Sequence, residues 1–245
     1  MMRWFEQAQF EVRLEWGSAA INAMAGSVDC VIIIDVMSFS SCVSLAVEKG
    51  ARIYPYPWKT DSAHAYARLR AAQVASVRSR FTGEGYSLSP ASIQHINKGD
   101  ALVLPSPNGS ALSFQARDTN ATVFSGCFRN LSATASLCRG FNRILLVPCG
   151  ERWPDGSLRP CLEDYVAAGG IIAATGRKDC SPEAQAAVAA WQACQQRELE
   201  PLHRCASALE LQQRGFSRDV ELCLMTDAAS LGCQLYDEFY DAAEA

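Results

Sequence analysis

Runs of basic residues are missing from this chain of 245 residues. Its 22 Lys and Arg stand against 26 Asp and Glu, a formal net charge of −4 with no cationic cluster, and affinity for a phosphate backbone leans on such clusters. Nucleic acid is therefore not expected as a partner. Histidine is scarce: His64, His95 and His203 lie far apart, none in a local metal-binding or triad motif. The 11 cysteines, from Cys30 to Cys233, include no CxxC pair, which argues against zinc ribbons and dithiol redox motifs; the thiols are expected to be reduced and buried. Residues 1–10 carry Arg3 and Glu6 and hold no unbroken apolar stretch, so neither a signal peptide nor a membrane anchor is expected. A cytoplasmic protein that keeps off membranes is the expectation. Low-complexity linkers are absent as well. With 49% hydrophobic and 20% charged residues, residues 1–245 read as a single packed α/β domain.

What the chain does contain is a repeating unit of apolar strand, polar loop and helix. Phe10, Val12, Leu14 and Trp16 alternate with polar residues, the period-two signature of a half-buried edge or antiparallel strand. Asp29-Cys30-Val31-Ile32-Ile33-Ile34-Asp35-Val36 lacks that alternation, as expected of a central strand covered on both faces. A loop leads from it to a helix over residues 44–49, stopped by Gly50. The pattern recurs over residues 101–117, 121–138 and 143–174, and four such units predict a layered α/β/α fold with a largely parallel or mixed sheet. Residues 181–214, with Pro182 in a first turn, predict one or two long covering helices. Tyr54-Pro55-Tyr56-Pro57-Trp58 reads as a rigid connection, and the acidic residues 235–245 as a tail that frays.

In open α/β sheets ligands bind beyond the carboxyl ends of the strands. Each unit puts polar or small residues there: Asp35 with Ser38, Ser40 and Ser41; Ser106, Asn108, Gly109 and Ser110; Gly126, Arg129 and Asn130; Cys149-Gly150-Glu151. Asp35 is the sharpest feature, because a carboxylate closing a β-branched strand is costly to desolvate unless it is paired, hydrogen-bonded or bound to a cation. The plainer alternative is an Asp that caps the following turn. Pro107-Asn108-Gly109-Ser110 suits a turn opening a helix whose N–H groups face an anion. Glu163-Asp164 opens another helix, where acids are favoured by the dipole, and with Asp35 such a pair suits Mg²⁺. Gly83-Glu84-Gly85 adds an acid in a special backbone setting. Cys42 and Cys149 have no local His or base to activate them as nucleophiles.

Taken in order, these landmarks resemble the 2-phosphosulfolactate phosphatase (ComB) family over most of the chain. Residues 31–41 match its strand followed by Asp-Val-Leu-Arg-Ala-Ser/Thr, Gly83-Glu84 its Gly-Glu, Ser89-Pro90 its Asn-Ser-Pro, and Asn108-Gly109-Ser110 its Asn-Gly-Thr. Asn130, Cys149-Gly150, Glu163-Asp164 with Ala168-Gly169, Asp179, and Asp219-Val220 with Cys223 continue the series. The resemblance implies a Mg²⁺-dependent phosphoric monoester hydrolase that converts 2-phosphosulfolactate to sulfolactate and phosphate, a step associated with coenzyme M synthesis. Two departures stand out. Met37-Ser38-Phe39 replaces Leu-Arg-Ala, which removes a guanidinium able to clamp an oxyanion, and the Gly-Asn before Ser89-Pro90 is absent.

The expectation is thus a Mg²⁺-assisted phosphatase for a small phosphorylated hydroxy acid. Asp35 is metal ligand or nucleophile. Glu84, Glu163 and Asp164 supply further metal ligands, and Ser40, Ser41, Asn108, Gly109, Ser110, Arg129 and Asn130 hold the substrate, with Arg129 the first choice to replace the missing cation. A homo-oligomer is compatible with the sequence. The competing reading is a diverged, non-catalytic small-anion-binding protein that keeps the fold; a cysteine-dependent hydrolase is the weakest.

Overall fold

The computed structural model describes residues 3–57, 60–76 and 85–243. Among them, eleven strands are β1 (Val12–Leu14), β2 (Cys30–Ile34), β3 (Arg52–Tyr56), β4 (Gln73–Val74), β5 (Ala101–Pro105), β6 (Thr122–Ser125), β7 (Ile144–Pro148), β8 (Glu151–Arg152), β9 (Leu158–Arg159), β10 (Cys233–Tyr236) and β11 (Phe239–Ala242). The helices are α1 (Gly17–Met24), α2 (Phe39–Glu48), α3 (Thr60–Arg68), α4 (Pro90–Ile93), α5 (Gly109–Arg117), α6 (Leu131–Leu137), α7 (Leu162–Thr175), α8 (Pro182–Gln195), α9 (Ala206–Gln213) and α10 (Ser217–Cys223). Nine strands form one mixed sheet in the order β1-β7-β2-β6-β10-β11-β3-β5-β4, and β8 and β9 make a separate hairpin. The layered α/β expectation holds. None of the described helices is long and apolar enough to cross a membrane.

The unbroken apolar run of β2 has the cause read from the sequence. All five of its residues are completely buried, and because side chains alternate across a strand they feed two different cores. Cys30, Ile32 and Ile34 join α6, α7 and α8 on one face; Val31 and Ile33 join α1, α2 and α5 on the other. Burying one such Val or Ile side chain contributes about 1.5–3 kcal/mol. On the first face α7 and α8 touch backbone to backbone at Gly169, where a Cβ would lie 1.9 Å from the carbonyl oxygen of Ala187.

Several local expectations change. The strand around Val12 is an edge strand, but it pairs parallel to β7, and Arg13 is buried rather than solvated. The Arg13 guanidinium is satisfied by the carbonyls of Phe10, Ala8 and Glu6 and by Ser27 Oγ. Helix α2 begins at Phe39, five residues earlier than the composition suggested. Tyr54-Pro55-Tyr56 lies in β3; Pro55 is accommodated because β11 meets β3 at Ile53 and does not ask for an N–H at Pro55, while Trp58 lies outside the described residues. Residues 181–214 become α8, a short 3₁₀ turn over Glu200–Arg204, and α9.

The largest correction concerns residues 233–242. Instead of fraying, they form the β10–β11 hairpin inside the sheet, where Leu235 and Tyr240 are buried and Tyr240 Oη meets Ser113 Oγ at 2.8 Å. Two of its acids are paired: Glu238 with Arg70, and Asp241 with Arg52. This hairpin joins β6 to β3 through antiparallel pairings. Strands β2 and β5 are thus five ladder steps apart, roughly 24 Å on a flat sheet. Their carboxyl ends nevertheless meet, so the sheet curls around α2 and α5.

Candidate active site

Asp35 is the first residue beyond β2 and is only 6% exposed. Its Oδ2 accepts the backbone N–H of Gly109 at 2.8 Å and the Ser106 hydroxyl at 3.4 Å; its Oδ1 accepts the N–H of Phe39 at 3.4 Å. Gly109 and Phe39 open α5 and α2, so two helix N-termini, which favour negative charge, face one carboxylate. The glycine is dictated by space. A Cβ on Gly109 would lie 2.3 Å from Phe39 Cδ1 and 2.8 Å from Asp35 Oδ2. The Asn-Gly pair thus opens a helix whose N–H faces an anionic group, as its sequence suggested, and the glycine permits the close approach.

Three more acids surround this point. Glu163 and Asp164, in the first turn of α7, are both 3% exposed. Asp164 accepts the N–H of Val36 at 2.8 Å through Oδ1 and that of Gly150 at 2.9 Å through Oδ2, fastening the end of β2 to the end of β7. Glu151 accepts Asn108 Nδ2 at 3.1 Å. Burial pushes the Asp35 carboxyl up to about 6, the Gly109 N–H opposes this, and the charges of Glu151 and Glu163 raise it further. Burial, followed by Glu163 and Asp35, likewise holds Asp164 well above the usual carboxylate range. Among the described residues, no Lys or Arg forms a salt bridge with any of the four acids. Nor do three His, Cys, Asp or Glu side chains converge closely enough there to enclose a metal by themselves.

A cavity of about 170 Å³ opens beside these groups, walled in part by Asn108, Cys149, Glu151 and Arg152. A larger groove of about 620 Å³, walled by Trp16, Cys161, Tyr165 and Pro182 among others, contains none of the four acids. The eleven cysteines are free and buried, as expected, and burial pushes the Cys149 thiol well up, which removes support for a thiolate nucleophile.

A family model described as 2-phosphosulpholactate phosphatase matches residues 19–235. The chain belongs to this family. A probable 2-phosphosulfolactate phosphatase of Thermotoga petrophila is 26% identical over 212 residues, covering 84% of this chain and 90% of that protein. Those of Thermotoga maritima (25% over 212 residues, 84% and 90%) and Pseudothermotoga lettingae (25% over 206 residues, 82% and 86%) are similar at the same level. Membership places the chain among phosphoric monoester hydrolases.

In this 2-phosphosulpholactate phosphatase family member, the expected site residues divide into two groups. Asp35, Asn108, Gly109, Glu163 and Asp164 come together at the ends of β2, β5 and β7. The hydroxyls expected to hold substrate are instead tied to backbone: Ser40 Oγ to Ile33 O and Asp35 N, Ser41 Oγ to Val36 O, and Ser110 Oγ to Leu104 O. Asn130 is fully buried and closes its own loop, accepting from Cys127 N and donating to Ser125 O. Arg129 turns to α10, where Nη1 donates to Leu222 O at 2.9 Å, so it does not stand in for the missing cation beside Asp35. Glu84, with Gly83, lies outside the described residues. Ser106 and Glu151, noted in the sequence as polar residues beyond strand ends but given no role there, join this site, and Arg152 carried no local signal.

Proposed function

We propose that this protein is a Mg²⁺-assisted phosphatase for a small phosphorylated hydroxy acid of the 2-phosphosulfolactate kind, with its chemistry at Asp35. The observation that carries the reading is a buried carboxylate held by the N–H groups of two helix starts amid three further acids, none of which has a salt-bridge partner among the described residues. Family membership gives that site its reaction class. The donor chemistry fits Mg²⁺, a hard cation that takes one or two carboxylates and fills its other positions with water and phosphate oxygens. Asp35 with one of Glu151 and Glu163 would hold it, water and substrate oxygens filling the other positions. Asp164 has a positioning role in this scheme, because both of its oxygens grip backbone N–H groups. When bound, the cation supplies Lewis-acid charge to the phosphoryl group.

The protein's own groups set the geometry. Gly109 and Ser106 fix Oδ2 of Asp35, which leaves Oδ1, with its longer contact to Phe39 N, the freer oxygen. Asn108 orients Glu151 through its amide, and Phe39, fully buried against Gly109, keeps bulk water from Asp35. Purified protein should release phosphate from 2-phosphosulfolactate in a Mg²⁺-dependent manner, and Asp35→Asn should lower kcat about 10³-fold. Phosphate release without Mg²⁺, or an Asp35→Asn enzyme as active as the parent, would overturn the proposal. The alternative, a non-catalytic anion-binding protein, rests on how deeply Asp35 is sealed. It predicts calorimetric binding of inorganic phosphate with no turnover of any ester.

A further inference from the structure

A substrate of this class carries an acid group besides its phosphate, and a second anion calls for a cation near the first. Among the described residues the candidates are few. Ser38, standing where the resemblance calls for Arg, is 1% exposed at the start of α2, Arg129 is turned to α10, and Arg13 is enclosed by backbone carbonyls. Arg159 reaches toward Ser207.

Arg152 remains. It directly follows Glu151 in the β8–β9 hairpin and lines the 170 Å³ cavity together with Asn108, Glu151, Trp16, Gly17 and Ser18. Among the described residues it is the one basic residue in that wall. The turn of its own hairpin steers the side chain: Nη1 donates to Gly156 O at 3.1 Å, and the hairpin is closed by Trp153 N to Ser157 O at 2.9 Å. Facing it is the first turn of α1, whose N-cap residue, Trp16, makes no capping side-chain bond. The cavity borders the phosphoryl site directly, because Asn108 and Glu151 belong to both: Asn108 precedes Gly109, and the Glu151 charge acts on Asp35.

We infer that this cavity is the subsite for the carboxylate or sulfonate of the substrate, and that Arg152 is the residue that recognises it. The inference rests on the phosphatase reading and adds a specificity determinant to it. A planar guanidinium matches a carboxylate or sulfonate in two-point contact, which an ammonium does not.

The test compares two secondary phosphate esters, 2-phosphosulfolactate and glycerol 2-phosphate, the second having hydroxymethyl groups in place of the acids. Arg152→Ala should lower kcat/KM for 2-phosphosulfolactate about 30-fold, mainly through KM, and reduce the preference over glycerol 2-phosphate at least tenfold. Arg152→Lys should fall between Ala and the parent. Arg152→Gln, which keeps a donor for Gly156 O, should behave like Ala and so separates loss of charge from loss of the hairpin. A preference unchanged within twofold in all three variants overturns the subsite while leaving the phosphatase reading intact. Calorimetric titration with sulfolactate gives the converse separation: binding that Arg152→Ala weakens tenfold, in a parent that hydrolyses neither ester, upholds the subsite and removes the phosphatase. A parent that neither hydrolyses these esters nor binds sulfolactate overturns both.

Discussion

Strands β2 and β6 are parallel neighbours, each followed by a loop and a helix, yet their carboxyl ends have opposite fates. Beyond β6 most of the polar groups are tied into the fold, although among the described residues Arg129 Nε and the Ser125 and Thr134 hydroxyls are buried without a hydrogen-bond partner. Asn130 bonds its own loop, Arg129 reaches Leu222 O, and residues 227–229 lie over the loop through Asp227 N to Phe128 O and Ala229 N to Arg129 O. Asp227 also caps α6 through Ser132 N and Oγ. Beyond β2 the arriving elements bring N–H groups and more acid: Gly109, Phe39, Glu151, Glu163 and Asp164. Identical topology thus yields a tied-off loop in one case and a concentration of negative charge in the other. The second arrangement is destabilising by itself, and such local cost is common where a site is prepared for a ligand.

Titration gives the largest expected contrast. The Asp35 carboxyl stands near 6 in the folded protein against 3.8 ordinarily, so between those values the native state holds more protons than the unfolded one. The stability that Asp35 contributes without added Mg²⁺ should accordingly be fully present below pH 4 and lost as pH rises through about 6, a change of about 3 kcal/mol at most. Asp164 acts in the same direction. Urea unfolding across this range should show the slope for the parent and a shallower one for Asp35→Asn; parallel curves would refute the electrostatic account. Next in size, Gly109→Ala should destabilise by about 2 kcal/mol by forcing Phe39 and Asp35 apart, with activity falling more steeply than stability. Smallest, Asn130→Ala should cost about 1 kcal/mol through the abandoned Cys127 N–H and Ser125 carbonyl, while kcat stays within threefold. A kcat collapse in Asn130→Ala would dissolve the distinction between the two strand ends.

Features carried by local chemistry were legible in the sequence. The five-residue run of β2 announces a strand covered on both faces, Asp35 marks its end, and the acids of Glu163-Asp164 sit in a helix first turn. Distant partners were not. Residues 235–245 look like an acidic tail because the cations that pair with Asp241 and Glu238, Arg52 and Arg70, lie far away in sequence. Ser40, Ser41 and Ser110 look like ligand hydroxyls because nothing in the composition reveals that each reaches a backbone carbonyl. Ser106, Glu151 and Arg152 gain significance only when three strand ends meet, which the curl of the sheet brings about.

That curl has a consequence in time. The β10–β11 hairpin, which bridges β6 to β3, is synthesised after Asp35, Gly109, Glu151 and Asp164 alike. A nascent chain emerging from the ribosome can form the parallel ladders of either half without the element that joins them. The start of α2 and the acids that follow β7 belong with β2 from the outset, so it is the start of α5, with Gly109, that should close on Asp35 last.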